Sequence, residues 1–176
     1  NNTATKDGVT YDTHVETVKV NVENKGDGTL SVTYGEGQAA SETFTTPEFS
    51  NSYASNGKIT FSGTKELKNR TLVKDEFTFE LYDTEGKLLD TKTNAADGSY
   101  SFDEIAYTNA DLDKDEDGNY IATTKTYTVK EKVGNDTTIA YDTKVYNVTV
   151  TLVDNGRGTI TATANPAHNT YNFTNN

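Results

Sequence analysis

Three polar residues stand where the sequence pattern calls for apolar ones, and together they are equipped to make a covalent bond. In a strand every second side chain lies on one face. Ile59, Phe61, Gly63, Lys65 and Leu67 share one such face; Tyr127, Val129, Glu131 and Val133 share a second; Tyr171, Phe173 and Asn175 share a third. A lysine, a glutamate and an asparagine therefore hold core positions. Lone buried charges are costly, so such groups are paired or neutralised. On the pattern alone two readings stand open. One is an ordinary Lys–Glu ion pair near a domain end, or a bulge that turns one of them outward. The other is a reaction among the three. Desolvation makes Lys65 a neutral, nucleophilic amine and keeps Glu131 protonated. Glu131 then hydrogen-bonds the Asn175 carboxamide, polarises it toward attack by Lys65 and passes a proton to the departing ammonia. The product is a side-chain amide, Lys65–Asn175, formed once and never turned over.

The elements that must position these residues are strands. Alternation predicts them at about 58–67, 76–82, 87–93, 99–105, 126–133, 144–153, 158–164 and 170–175. Turns are expected at Thr84-Glu85-Gly86, Ala96-Asp97-Gly98 and Asp117-Gly118. Eight short strands with such turns imply an all-β fold, an immunoglobulin-like antiparallel β-sandwich.

The chain also repeats itself. Val9-Thr10-Tyr11-Asp12-Thr13-His14-Val15 matches Ile139-Ala140-Tyr141-Asp142-Thr143-Lys144-Val145. Each copy leads into an alternating strand, a glycine-containing hairpin turn and a second strand. Each closes on an aromatic-x-Asn ending, Phe49-Ser50-Asn51 and Phe173-Thr174-Asn175. A repeat of about 130 residues means tandem domains, because solenoid periods are ~20–50 residues. Residues 58–176 read as a complete repeat, 54–57 as a linker, and 1–53 as the C-terminal half of a preceding repeat. Asn51 is then an orphan crosslink candidate whose lysine and glutamate lie elsewhere. Alignment of Tyr11 with Tyr141 puts Asn1 in the place of Glu131. The chain is accordingly read as a window on a longer tandem array.

The segment Gly63-Thr64-Lys65-Glu66-Leu67-Lys68-Asn69-Arg70-Thr71-Leu72, followed by Glu76-Phe77-Thr78-Phe79-Glu80-Leu81, resembles the opening of the streptococcal pilin isopeptide-linkage repeat, the major pilin or T-antigen-like domain of Gram-positive surface proteins. Tyr127-Thr128-Val129-Lys130-Glu131 and Phe173-Thr174-Asn175 resemble its middle and closing motifs. The resemblance covers 57–176 and, for the second half-repeat, 1–53. It implies that Lys65 and Asn175 are joined, that Glu131 promotes the bond, and that Asn51 is the bonding asparagine of the half-repeat. It also implies a structural stalk or shaft domain of a cell-surface fibre or adhesin, not an enzyme beyond its single self-crosslinking turn. Its partners would be neighbouring repeats of the same fibre and, through another domain, a host receptor. The stretch Ala110–Thr124 is longer than the family's plain hairpin.

Composition narrows the alternatives. The net charge is −11 with 32 % hydrophobic residues, which argues against nucleic acid, since phosphate binding needs clustered Lys and Arg. No apolar run approaches the ~20 residues of a membrane span. Eleven tyrosines and seven phenylalanines in regular alternation argue against disorder. There is no cysteine, so any covalent staple in this extracellular domain comes from other chemistry. No cofactor is expected. Asp113-Lys114-Asp115-Glu116-Asp117-Gly118 matches the start of a calcium loop, making Asp113, Asp115 and Asp117 a weak metal candidate. Thr124 stands where that loop needs glutamate, so a solvated acidic turn is favoured. His14 and His168 read as surface or turn residues. The alternative function is an extracellular carbohydrate- or host-ligand-binding module using exposed tyrosines.

Overall fold

The structure is a computed structural model that describes residues 4–35 and 41–176. The chain divides into two compact units, Asn1–Tyr53 and Ala54–Asn176. Asn1, the position aligned with Glu131, lies outside the described residues.

The first unit contains β1 (Thr5–Lys6), β2 (Val9–Thr10), β3 (Val20–Asn24), β4 (Leu30–Tyr34) and β5 (Ser52–Tyr53). β2 is paired on one side with β1 and on the other with β5, all antiparallel, and β3 with β4 forms a hairpin. Its turn carries Gly26 and Gly28, both at positive φ (78° and 87°), a backbone region that side chains other than glycine enter at a cost.

The second unit is a sandwich of two layers. Its strands are β6 (Asn56–Ile59), β7 (Ser62–Leu67), β8 (Thr78–Asp83), β9 (Leu88–Thr93), β10 (Ser99–Ser101), β11 (Ile105–Thr108), β12 (Thr123–Glu131), β13 (Val145–Asp154), β14 (Ile160–Asn165) and β15 (Phe173–Asn175). One layer is the five-stranded antiparallel sheet β14-β13-β12-β8-β9; the other is built from β10-β7-β15 and β11-β6. The pairing of β15 with β7 is parallel, Phe173 opposite Lys65 and Asn175 opposite Leu67. Between the layers lies an aromatic-rich core: Phe61, Phe79, Tyr100, Tyr171 and Phe173 are buried with Leu81, Val129, Val150 and Leu152. Phe79 stacks on Tyr100 at a centroid distance of 3.8 Å. Among the described residues no helix is long and apolar enough to cross a membrane.

The predicted strand 58–67 is broken after Ile59. β6 pairs with β11 and β7 with β10. The predicted strand 99–105 is interrupted opposite it. Ser101 faces Ser62 while Ile105 faces Ile59, so one extra residue sits on the 102–104 side, a bulge that bends both strands. The bend carries β6 toward β14, where Asn56 bridges Thr159. Burial alternation survives it, because Ile59, Phe61 and Lys65 are all buried. Asn56 and Gly57, read as linker, stand inside β6. Val133, assigned to the core face by alternation, is 61 % exposed because β12 ends at Glu131.

The sequence repeat has a counterpart in register. In the first unit Val20 pairs with Tyr34, Val22 with Val32 and Asn24 with Leu30. In the second, Val150 pairs with Ala164, Leu152 with Ala162 and Asp154 with Ile160. Each of these pairs is displaced by the same number of residues, and the Gly156 turn again has positive φ. Thr10 opposite Ser52 likewise matches Ala140 and Asn176, which exchange backbone hydrogen bonds of 2.8 and 3.2 Å.

Candidate functional site

β7, β12 and β15 each carry one polar side chain in a run of alternating core residues, and the three meet. The Lys65 Nζ donates to Glu131 Oε2 at 2.8 Å. The Asn175 Nδ2 donates to Glu131 Oε1 at 2.7 Å. One carboxyl group thus touches both the amine and the carboxamide nitrogen. The side chains of Lys65 and Glu131 are fully shielded from solvent, and Asn175 is buried. The Phe77 ring lies 4.6 Å from Nζ and closes the site on the side of the loop before β8. That loop is held by the buried Asn94, whose Oδ1 accepts from the Phe77 N–H at 2.8 Å and whose Nδ2 donates to the carbonyl of Val73.

Burial sets the electrostatics. Desolvation pushes the Lys65 amine below the usual lysine range against the pull of Glu131. Desolvation pushes the Glu131 carboxyl up, although the hydrogen bonds from Lys65 and Asn175 oppose it. Both shifts favour the uncharged forms, amine and carboxylic acid. These are the forms in which nitrogen is a nucleophile and oxygen a proton donor.

A fourth residue belongs to the site. The Asp142 backbone N–H donates to Asn175 Oδ1 at 2.7 Å. Its carboxylate accepts from the N–H of Thr174 at 3.0 Å and of Lys144 at 2.9 Å. Burial alone would raise this carboxyl. The Thr174 and Lys144 N–H groups, with the Lys144 and Lys65 charges, outweigh it and hold Asp142 below the usual range. The signal available in the sequence was the repeated Tyr-Asp-Thr segment. Beside Glu131, Asp142 and Lys144 the surface opens into a cleft of about 250 Å³.

The other candidates fare differently. Asn51 is exposed and lies with Asp12 in the first unit, its Oδ1 accepting from the Asp12 N–H at 3.0 Å. Asp113, Asp115 and Asp117 are not gathered around a common point. The Asp115 carboxylate is taken up by the N–H groups of Asp117 and Asn119 and by Asn119 Nδ2. Among the described residues no group of three or more His, Cys, Asp or Glu is placed to hold a metal ion. His14 contacts Asp12 and Glu16 and stacks on Phe49 at 4.6 Å. His168 lends its backbone carbonyl to the Ser62 N–H.

Fold and site together define a β-sandwich domain with a lysine, a glutamate and an asparagine sealed between neighbouring parallel strands and the facing sheet. The sequence matches the family described as Spy0128-like isopeptide containing domain (FctA) over residues 1–54 and 61–176, and the chain belongs to that family. A search of curated proteins found no match. Among solved structures, an asparagine-to-alanine mutant of the major pilin from Streptococcus pyogenes is similar at 17 % identity and a TM-score of 0.35, over 67 % of this chain and 49 % of that one. The chain therefore matches about half the length of that pilin.

Proposed function

We propose that residues 54–176 form a shaft domain of a bacterial cell-surface fibre or adhesin, stapled by an autocatalytic amide bond between Lys65 and Asn175. The observation that carries this reading is the double hydrogen bond of buried Glu131 to both prospective partners. Lys65 Nζ attacks Asn175 Cγ, the Cγ–Nδ2 bond breaks, and ammonia leaves. Glu131 receives a proton from Nζ at one oxygen and delivers one to Nδ2 from the other, so it ends as it began. The adjoining cleft supplies an exit for ammonia. The site is consumed by its own product, so the domain performs one turnover and is no enzyme. Its working place is the outside of the cell, and its partners are neighbouring repeats of the same fibre. Intact mass spectrometry tests the bond. The chain is expected to be lighter by about 17 Da, one ammonia, and to regain full mass in Lys65→Ala, Glu131→Ala or Asn175→Ala. A parent chain at full mass refutes it.

Residues 1–53 are, in the same reading, the second half of an equivalent repeat, with Asn51 its bonding asparagine. Support comes from the apolar face of β3 and β4. Val20 is 50 % and Leu30 63 % exposed, where their register equivalents Val150 and Ile160 are 0 % and 3 % exposed. Strands equivalent to β6–β12 would cover that face and bring a lysine and a glutamate to Asn51. Mixing the chain with a polypeptide of residues 57–131 is expected to give a covalent adduct that Asn51→Ala abolishes. An adduct indifferent to that substitution, or none, counts against it.

A further inference from the structure

We propose that the backbone N–H of Asp142 is the oxyanion donor of the crosslinking reaction, and that the Asp142 carboxylate holds this donor against the strand that carries Asn175. The inference rests on the crosslinking reading above and assigns a part of the chemistry that Lys65 and Glu131 leave uncovered.

Attack on a carboxamide needs two kinds of help. The nitrogen that leaves must gain a proton, and the oxygen that takes up negative charge must meet a donor. The orientation of the Asn175 amide separates the two tasks. Its oxygen accepts from an N–H, which can only donate, so the other end is the NH₂ group, and that end faces Glu131. Glu131 therefore serves the leaving nitrogen. The group on the oxygen is Asp142 N–H, at 2.7 Å. As Lys65 Nζ adds to Cγ, the carbonyl π pair moves onto Oδ1 and its charge meets this N–H. As the carbonyl re-forms, the Cγ–Nδ2 bond breaks and ammonia departs with the proton from Glu131, which has taken one from Nζ. Amine plus carboxamide gives amide plus ammonia, with no other reactant.

A backbone donor is useful only if its segment cannot drift. The Asp142 carboxylate accepts from Thr174, the residue before Asn175, and from Lys144 in its own segment. One residue therefore clasps the bonding asparagine twice, through its main chain and its side chain. The first unit builds the same clasp. Asp12 N–H donates to Asn51 Oδ1 at 3.0 Å, and the Asp12 carboxylate accepts from Ser50 N–H at 2.9 Å and His14 N–H at 3.0 Å. There it stands in a unit whose strands include no counterpart of β7 or β12 among the described residues. The clasp is thus a property of the Tyr-Asp-Thr and aromatic-x-Asn segments themselves, set before lysine and glutamate arrive, which is what preorganisation of an oxyanion site requires.

The test is cell-free synthesis of the full chain with the α-hydroxy analogue of aspartate at position 142, which replaces the N–H by an ester oxygen and keeps the carboxylate. Ammonia loss is followed by intact mass against time. The analogue is expected to react about 10²–10³ times more slowly than the parent, the usual cost of one oxyanion donor. A rate within about twofold of the parent's overturns the proposal while leaving the crosslink itself standing. A parent chain that never loses ammonia sinks the crosslink reading instead, and this proposal with it. A second measurement does not depend on the analogue's folding. In Lys65→Ala, which cannot crosslink, the Asp142 amide proton is expected to resonate downfield and exchange slowly, and to lose both properties in Lys65→Ala/Asn175→Ala. An Asp142 amide proton indifferent to Asn175 overturns the proposal.

Discussion

The side chains of Lys65 and Glu131 are hydrogen-bonded in an environment that disfavours charge on either. In the proposed crosslinking only the amine-plus-acid form would react, and it lies one proton away from a dead form on each side. As pH falls, Lys65 takes up a proton and its lone pair is lost. As pH rises, Glu131 gives up its proton and nitrogen has no acid to leave with. The rate of ammonia loss in freshly synthesised chain is therefore expected to be bell-shaped in pH, with apparent limits belonging to the pair and not to either residue. A rate that climbs steadily with pH, as for a free amine, would remove Glu131 from its acid role. At this scale strand alternation made Lys65, Glu131 and Asn175 legible, because a polar residue in an apolar register is visible as a letter. It did not make Asp142 legible as a participant. Its donor is a main-chain N–H, which every residue but proline possesses, and alternation carries no information about which one faces a carboxamide. Phe77 was equally hidden, since its ring reaches Nζ from a loop that Asn94 holds in place.

The strands place these atoms through close backbone approach. A Cβ on Gly63 would stand 1.9 Å from the Tyr171 carbonyl oxygen and 2.8 Å from the Tyr100 hydroxyl. That Tyr100 hydroxyl itself donates to the Tyr171 carbonyl. Glycine at this point of β7 is what lets the segment leading into β15 lie beside it, two residues from Lys65 on one strand and two from Phe173 on the other. Gly63→Ala is expected to cost about 1–3 kcal/mol through forced displacement. It is also expected to slow amide formation by moving Asn175 away from Lys65. Thermal melts on a Lys65→Ala background isolate the first effect, and timed mass spectrometry the second. An unchanged melt would mean that β15 yields without loss. The element scale also shows where prediction from sequence stops. Period-two alternation read 58–67 as one strand because burial continues through Phe61. The bulge that splits it comes from pairing with the 99–108 segment, a long-range register that no local pattern encodes. Glu131 at the end of β12 was read within a longer strand for the same reason, and Val133 beyond it faces water.

At the scale of the whole domain, the topology decides what the bond would do. The second unit begins near β6 and β7 and ends on β15, and β7 and β15 run parallel as hydrogen-bonded neighbours. Tension applied at the two ends pulls parallel neighbours in opposite directions, so their ladder is loaded in shear. An amide from Lys65 to Asn175 ties these same two strands. With the proposed bond in place, force would pass from the first residues of the unit through Lys65 to Asn175 and leave the enclosed loop of about 110 residues unloaded, along with nearly all of the core. By analogy with a disulfide closing a loop of that size, the bond would also add roughly 4–5 kcal/mol by restricting the unfolded chain. Single-molecule pulling on residues 54–176 separates the mechanical claim from the thermodynamic one. The parent domain is expected to stretch without any unfolding step up to the rupture of the attachment. Glu131→Ala, folded without the bond, is expected to unfold in one step that releases roughly 360–400 Å of chain, the extended length of the enclosed loop. A parent domain that releases this length under load would show that the two strands are not covalently tied. A Glu131→Ala domain that fails to release it would show that the strand ladder alone bears the force, leaving the buried cluster without a mechanical role.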